Sequence, residues 1–153
     1  MQQLTHLNTA GEAHMVDVSG KTQTNRTAEA RSVVQVTPIV LSAITSDTLP
    51  KGDLYATARI AGIQAAKRCS ELIPLCHSLP LSSVAIEIEL EGDCLLINVV
   101  CKTIGRTGVE MEALTAASIS ALTIYDMCKG LDKGVVIRDT RLIRKSGGKS
   151  GEW

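Results

Sequence analysis

Four charged residues crowd the two ends of a stretch that has no charge between them. In "TGVEMEALTAASISALTIYDMCKGL", Thr107 to Leu131, Glu110 and Glu112 flank Met111 at one end, while Asp126 and Lys129 stand at the other. A carboxylate beside an ammonium group suits proton transfer, because each can hold or release a proton next to a reacting atom. The plainer reading is electrostatic. Acids near a helix start and a base near its end complement the helix dipole, and Asp126 and Lys129 form an i,i+3 surface pair. The uncharged middle argues against that reading, because a surface helix keeps a polar stripe along its whole length. Ala, Ser and Thr are the only relief here, so the helix is packed over most of its circumference and its charged tips lie at a boundary or cleft.

Fourteen positions separate Glu112 from Asp126, close to four turns, so both point to roughly the same side but ~21 Å apart. One small molecule cannot bridge that gap along a single helix. A second copy packed antiparallel would bring its distal tip beside the first copy's proximal tip, which points to a dimer with shared pockets.

Other groups invite the same question. "PKGD" sets Lys51 just ahead of a helix N-terminus, where backbone N–H groups and a lysine favour an anion; an ordinary turn is the alternative. "PLCHS" places His77 in a loop among apolar neighbours, Leu75, Cys76 and Leu79. "RLIRKSGGKSGEW" holds Arg141, Arg144, Lys145 and Lys149 among glycines. Its "GGKS" is no phosphate loop, because Ile143 occupies the position of the required first glycine and no helix can follow. "SGKT" at Ser19–Thr22 fails likewise, with Met15 at that position. A basic tail closing over phosphates remains, beside a merely solvated one. No metal ligand set is expected. His14 and Asp17 fall on opposite faces of a short strand, and no other cluster of ligands exists.

The elements that must position these groups read as follows. "HMVDVSG" (14–20) is expected as a brief strand and "TAEARSVVQV" (27–36) as a longer one. Thr37 caps a helix with Pro38 at its first position, broken near Pro50 and Gly52. Asp53 caps a second helix over "LYATARIAGIQAAKRCSEL", ended by Pro74. "VAIEIEL" (84–90) alternates fully and forms a hairpin through "EGD" with "CLLINVVCKT". The charged-tip helix runs from about 109 to 129, and "GVVIRDTRLIRK" is the last strand. This order implies an α+β chain: a ferredoxin-like split βαβ arrangement, with an antiparallel sheet, helices on one face and an extra helix in the first crossover. One domain over 1–153 is expected, with a mobile N-terminus at 1–12 and a mobile Gly/Lys-rich tail at 146–153.

Composition narrows the class. Sixteen basic residues balance sixteen acidic ones, which gives no footprint for nucleic acid or an anionic membrane. Aromatics make up 2% of the chain, against a base-stacking platform. The five cysteines lack metal or disulfide spacing and suit a reducing cytoplasm. The uncharged run from Ala113 to Tyr125 is too short to span a bilayer.

Taken together, "LTHLNTAGEAHMVDVSGK", "KGDLYATARIAGIQAAKRCSELIPLCHSLPL", "TGVEMEALTAASISALTIYDMCK" and "KSGGKSG" resemble the cyclic pyranopterin monophosphate synthase family, the C protein of molybdenum cofactor biosynthesis. The resemblance covers nearly the whole chain. It implies a lyase that converts (8S)-3′,8-cyclo-7,8-dihydroguanosine 5′-triphosphate to cyclic pyranopterin monophosphate and pyrophosphate, without a cofactor. It also implies a hexamer, a trimer of dimers with active sites at the dimer interface. On matching motifs it makes Asp126, Lys129 and Lys51 catalytic, and it puts Leu75, Cys76, His77, Glu110, Met111, Glu112 and Lys145 against the substrate. The family has Pro after the loop histidine where this chain has Ser78, which bears on the rigidity of His77. A non-catalytic phosphate binder using the same basic loops is the competing reading.

Overall fold

The structure, a computed structural model, describes residues 5–153. Alternation builds its sheet. In β1 (Thr24–Gln35), Ala28, Ala30, Ser32 and Val34 are buried while the residues between them are not. In β3 (Cys94–Gly105), Leu95, Ile97, Val99 and Cys101 repeat the pattern in register, with Ala28 opposite Cys101 and Val34 opposite Leu95. Period-two burial turns every second side chain toward one layer, and the helices form that layer. β2 (Leu81–Glu91) pairs with β3 as the expected hairpin, with Glu91 opposite Cys94 across Gly92 and Asp93. β4 (Val136–Ser146) pairs with the other side of β1. All pairs are antiparallel and the order is β2-β3-β1-β4, a four-stranded antiparallel sheet in an α+β chain.

The helices are α1 (Pro38–Thr45), α2 (Leu54–Lys67), the single turn α3 (Cys69–Leu72) and α4 (Glu110–Cys128). Asp53 caps α2 as its position implies, accepting from the Ala56 N–H at 2.9 Å. Thr37 stands at the N-cap of α1 but makes no side-chain cap bond, and its buried Oγ1 is without a partner in the chain. α4 is continuous and packed over most of its girth: Ala113, Ala116, Ala117, Ser120, Ala121 and Ile124 are fully buried. Small residues let α2 approach closely. Ser120 Oγ donates to Ala58 O at 2.9 Å, and Gly62 faces Ser120 and Ala116. The start of α2 lies beside the end of α4, so the two helices run antiparallel.

Two expectations need correction. Residues 14–20 form no strand: none of the four strands pairs with them, and the isolated bridge nearby joins Leu7 to Ala13. The segment instead turns at Asp17, whose carboxylate accepts from Ser19 N at 2.8 Å. The helix expected through "KRCSEL" breaks at Arg68, whose N–H is shared between Gln64 O and Ala65 O. That kink separates α2 from α3 and redirects the chain into the 73–80 loop. Of the two ends expected to be mobile, residues 1–4 lie outside the described residues. In the tail, Lys145 and Trp153 exchange both backbone hydrogen bonds, at 2.8 and 3.0 Å.

Candidate active site

At the C-terminal end of α4, Asp126 projects outward and its carboxylate accepts from two amines, Lys51 Nζ at 2.6 Å and Lys129 Nζ at 3.0 Å. Lys129 is the expected i,i+3 neighbour. Lys51 arrives from the turn before α2, carried there by the antiparallel packing of α2 on α4. The helix N-terminus beside Lys51 is capped by the chain's own Asp53, so the lysine serves Asp126. Hydrogen bonds from Lys51 first, then Lys129, hold the Asp126 carboxyl below its ordinary value. It is a committed carboxylate between two ammonium groups that are about half exposed (48% and 50%).

The N-terminal end of α4 is drier. Register places Lys145 on β4 opposite the fully buried Ala28, facing the helices, where its Nζ donates to Glu110 Oε1 at 2.9 Å. Glu110 Oε2 is buried and has no partner in the chain. Glu112 is 4% exposed, and burial raises its carboxyl above the ordinary value, partly countered by its own backbone N–H. Burial likewise pushes the Cys69 thiol to about 11 and Cys101 to about 12, with Glu112 adding to both, so these thiols stay protonated. Cys76 also feels Glu112, which sets the "PLCH" loop beside this end of the helix. In that loop Leu75 is 38% exposed, and a His77 ring nitrogen pairs with Val16 O at 2.6 Å. Met111 is half-buried.

A cavity of about 710 Å³ opens at this end. Lys21, Arg26, Arg106, Lys145 and Lys149 line it against the single carboxylate of Glu110. Such a wall attracts a polyanion. Glu112, Met111, Leu75, Cys76 and His77 do not line it, though Asp17 stands near both His77 and Arg106. Arg26 and Arg106 were not singled out from the sequence. Arg106 had a legible signal, a cation just ahead of a helix start. Arg26 had none, sitting at the head of an alternating strand. Its guanidinium donates to Gly105 O, Arg106 O and Gly147 O at 3.2–3.3 Å, tying the end of β3 to the tail. Gly147 and Gly148 have φ of +100° and +76°, and a Cβ on either would strike Asn25 O or the Arg26 guanidinium. The "GGKS" glycines therefore serve a left-handed turn around Arg26, which agrees with the rejection of a phosphate loop. Arg26→Ala is expected to speed amide exchange at residues 147–149 and leave α4 protected, measured by hydrogen-exchange mass spectrometry.

The two clusters stay apart. α4 runs unbroken between Glu110 and Asp126, so one chain holds a doubly paired carboxylate at one tip and an anion-attracting cavity at the other. Apart from Lys149 and Ser150 at the cavity, both lie inside a single family signature: the chain matches the model of the MoaC family over residues 15–148. The chain belongs to the MoaC family. Membership places it in molybdenum cofactor biosynthesis, and the matched span contains Lys51, Glu110, Glu112, Asp126, Lys129 and Lys145. Among the described residues of this MoaC chain, no group of three or more His, Cys, Asp and Glu residues is placed to hold a metal ion, and no helix is long and apolar enough to cross a membrane.

Glu112 gives a test of the dry end. A carboxyl raised on folding makes the native state bind its proton more tightly than the unfolded chain. Stability from this group is therefore lost as pH rises from the ordinary 4.5 through the higher folded value, and the penalty is complete above it. Glu112→Gln is expected to flatten that decline, read as urea midpoints between pH 4 and pH 7 on wild type and variant.

Proposed function

We propose that this chain is the lyase converting (8S)-3′,8-cyclo-7,8-dihydroguanosine 5′-triphosphate to cyclic pyranopterin monophosphate and pyrophosphate. The observation that carries the reading is Asp126 held between Lys51 and Lys129. A binder that releases its ligand unchanged has no use for a carboxylate set between two proton donors. Rearranging a cyclised purine into a pterin opens a ring and moves protons repeatedly, and positioned acids and bases do that. In this proposal Asp126 and Lys129 exchange protons with the substrate, and Lys51 donates to the same carboxylate. Closing the cyclic phosphate expels pyrophosphate, whose growing charge needs fixed cations. Lys145 and the arginines of the cavity supply them, while Leu75, Cys76, His77, Glu110, Met111 and Glu112 seat the substrate.

Both tips of α4 must serve one substrate, so the working unit is a two-fold pair with the tips brought together across the axis, three such pairs making a hexamer. Leu122 on α4 and Ile60 on α2, 54% and 57% exposed, support a contact on the helix layer. The strand order supports reading the fold as the ferredoxin-like split βαβ arrangement. A cytoplasmic setting fits the five free thiols. Anaerobic incubation with the cyclised nucleotide, following pyrophosphate, tests the reaction. Folded protein that binds the nucleotide and releases none would be a binder.

A further inference from the structure

His77 is held by main chain rather than by another side chain. Its ring nitrogen Nε2 meets Val16 O at 2.6 Å. A carbonyl oxygen only accepts, so Nε2 carries the proton in that bond. In the neutral ring Nδ1 is then bare, and it is the nitrogen left to face a ligand. The Val16 carbonyl is aimed by the turn around it. Asp17 Oδ1 accepts from Ser19 N at 2.8 Å, and Lys21 N donates to Val18 O at 3.0 Å. A side-chain turn of this kind stands in for a backbone turn and fixes the peptide groups about the aspartate. At the far end of the segment Lys21 O accepts from Arg106 Nε at 3.1 Å. The stretch from Val16 to Lys21 thus joins His77, which does not line the cavity, to Lys21 and Arg106, which do. The backbone of His77 itself is less restricted, because Ser78 follows it and no proline ring limits its conformation.

We propose that Asp17 is a positioning residue for His77: its turn presents the Val16 carbonyl to Nε2 and leaves Nδ1 as the nitrogen that meets the substrate. The proposal rests on reading His77 as a substrate contact. It has a chemical consequence. A proton taken up at Nδ1 gives an imidazolium that still donates from Nε2 to Val16 O. Release of that proton restores the neutral ring in the same pose. A proton can therefore arrive and leave at Nδ1 without the ring turning, and the hydrogen bond to Val16 is kept throughout.

The chain has three histidines, so imidazole nitrogen spectra of labelled protein can separate them. At about pH 9, above the ordinary histidine range, His77 is expected to show a proton-bearing Nε2 and a bare Nδ1. His6 and His14 are exposed and serve as references averaged between the two tautomers. Asp17→Ala is expected to move His77 at least halfway to those averaged values while amide exchange in α4 stays unchanged. Asp17→Asn should keep the wild-type pattern, because its side-chain oxygen still accepts from Ser19 N. A wild-type His77 that averages like His6, or that carries its proton on Nδ1, overturns the proposal. So does an Asp17→Ala protein whose His77 keeps a single tautomer, or an Asp17→Asn protein that behaves like Asp17→Ala. These spectra need no substrate, so they stand apart from the catalytic reading. With the cyclised nucleotide held on Asp126→Asn protein, the Nδ1 resonance should shift more than that of Nε2. Bound nucleotide that moves neither would end the part of His77 in the substrate site and leave its bond to Val16 standing.

Discussion

Asp126→Asn is expected to lower the rate of pyrophosphate release by about 10²–10⁴-fold, the range typical of removing a general acid–base group. The amide keeps the shape of the carboxyl and loses its charge and basicity. Lys51 at 2.6 Å and Lys129 at 3.0 Å then face a group that can take up no proton. Stability should barely change, because an ion pair about half exposed is worth little in water. A large kinetic loss with an unchanged melting temperature is thus the signature of a chemical role. Lys129→Ala should also lose activity while the Lys51–Asp126 pair keeps the carboxylate in place. Near-normal turnover by either folded variant would remove Asp126 and Lys129 from the chemistry.

Gly62→Ala is the substitution expected to harm the fold most for its size. A Cβ at position 62 would meet the Ser120 hydroxyl and, at 2.5 Å, the Ile86 Cδ1 methyl, with Ala116 O at 3.1 Å. Ser120 and Ala116 belong to the α2–α4 seam and Ile86 to β2, and Ser120 Oγ is already committed to Ala58 O. Overpacking costs ~1–3 kcal/mol, and disturbing the buried Ser120 bond adds about 1 kcal/mol. The helix-propensity gain of Ala over Gly returns only about 1 kcal/mol. The balance is a loss of ~1–3 kcal/mol, a fall in melting temperature of roughly 3–10 °C, read at fixed protein concentration because association shifts the midpoint. Ser120→Ala removes the obstructing hydroxyl and should recover part of the loss in the double variant. A Gly62→Ala protein that melts with the wild type would mean the helices stand farther apart.

Those two sites show where reading from sequence succeeds and where it stops. The β2–β3 hairpin was legible because "VAIEIEL" alternates fully and a short turn follows. The cap at Asp53 and the packed body of α4 were legible for the same reason: each is settled within a few residues. The strand expected at 14–20 was not there, since alternation alone does not supply a partner edge. The break at Arg68 follows no Gly or Pro and left no local mark. Glu110, Asp126 and Lys129 declared themselves as charges bounding an uncharged helix, whereas Arg26 looked like any strand residue.

The sequence by itself determined the periods of the strands, the ends of the helices, and a greasy rod with acids and a lysine at its tips. All of these follow from side-chain preferences acting over one or two turns of chain. Only the tertiary structure decided that Lys51 reaches Asp126, 75 residues away, because that contact exists only when α2 lies antiparallel on α4. It also decided that Lys145 meets Glu110. A one-residue slip of β4 against β1 would turn that lysine to the opposite face, and the register, with its irregularity between Glu29 and Ala30, is fixed by the whole core.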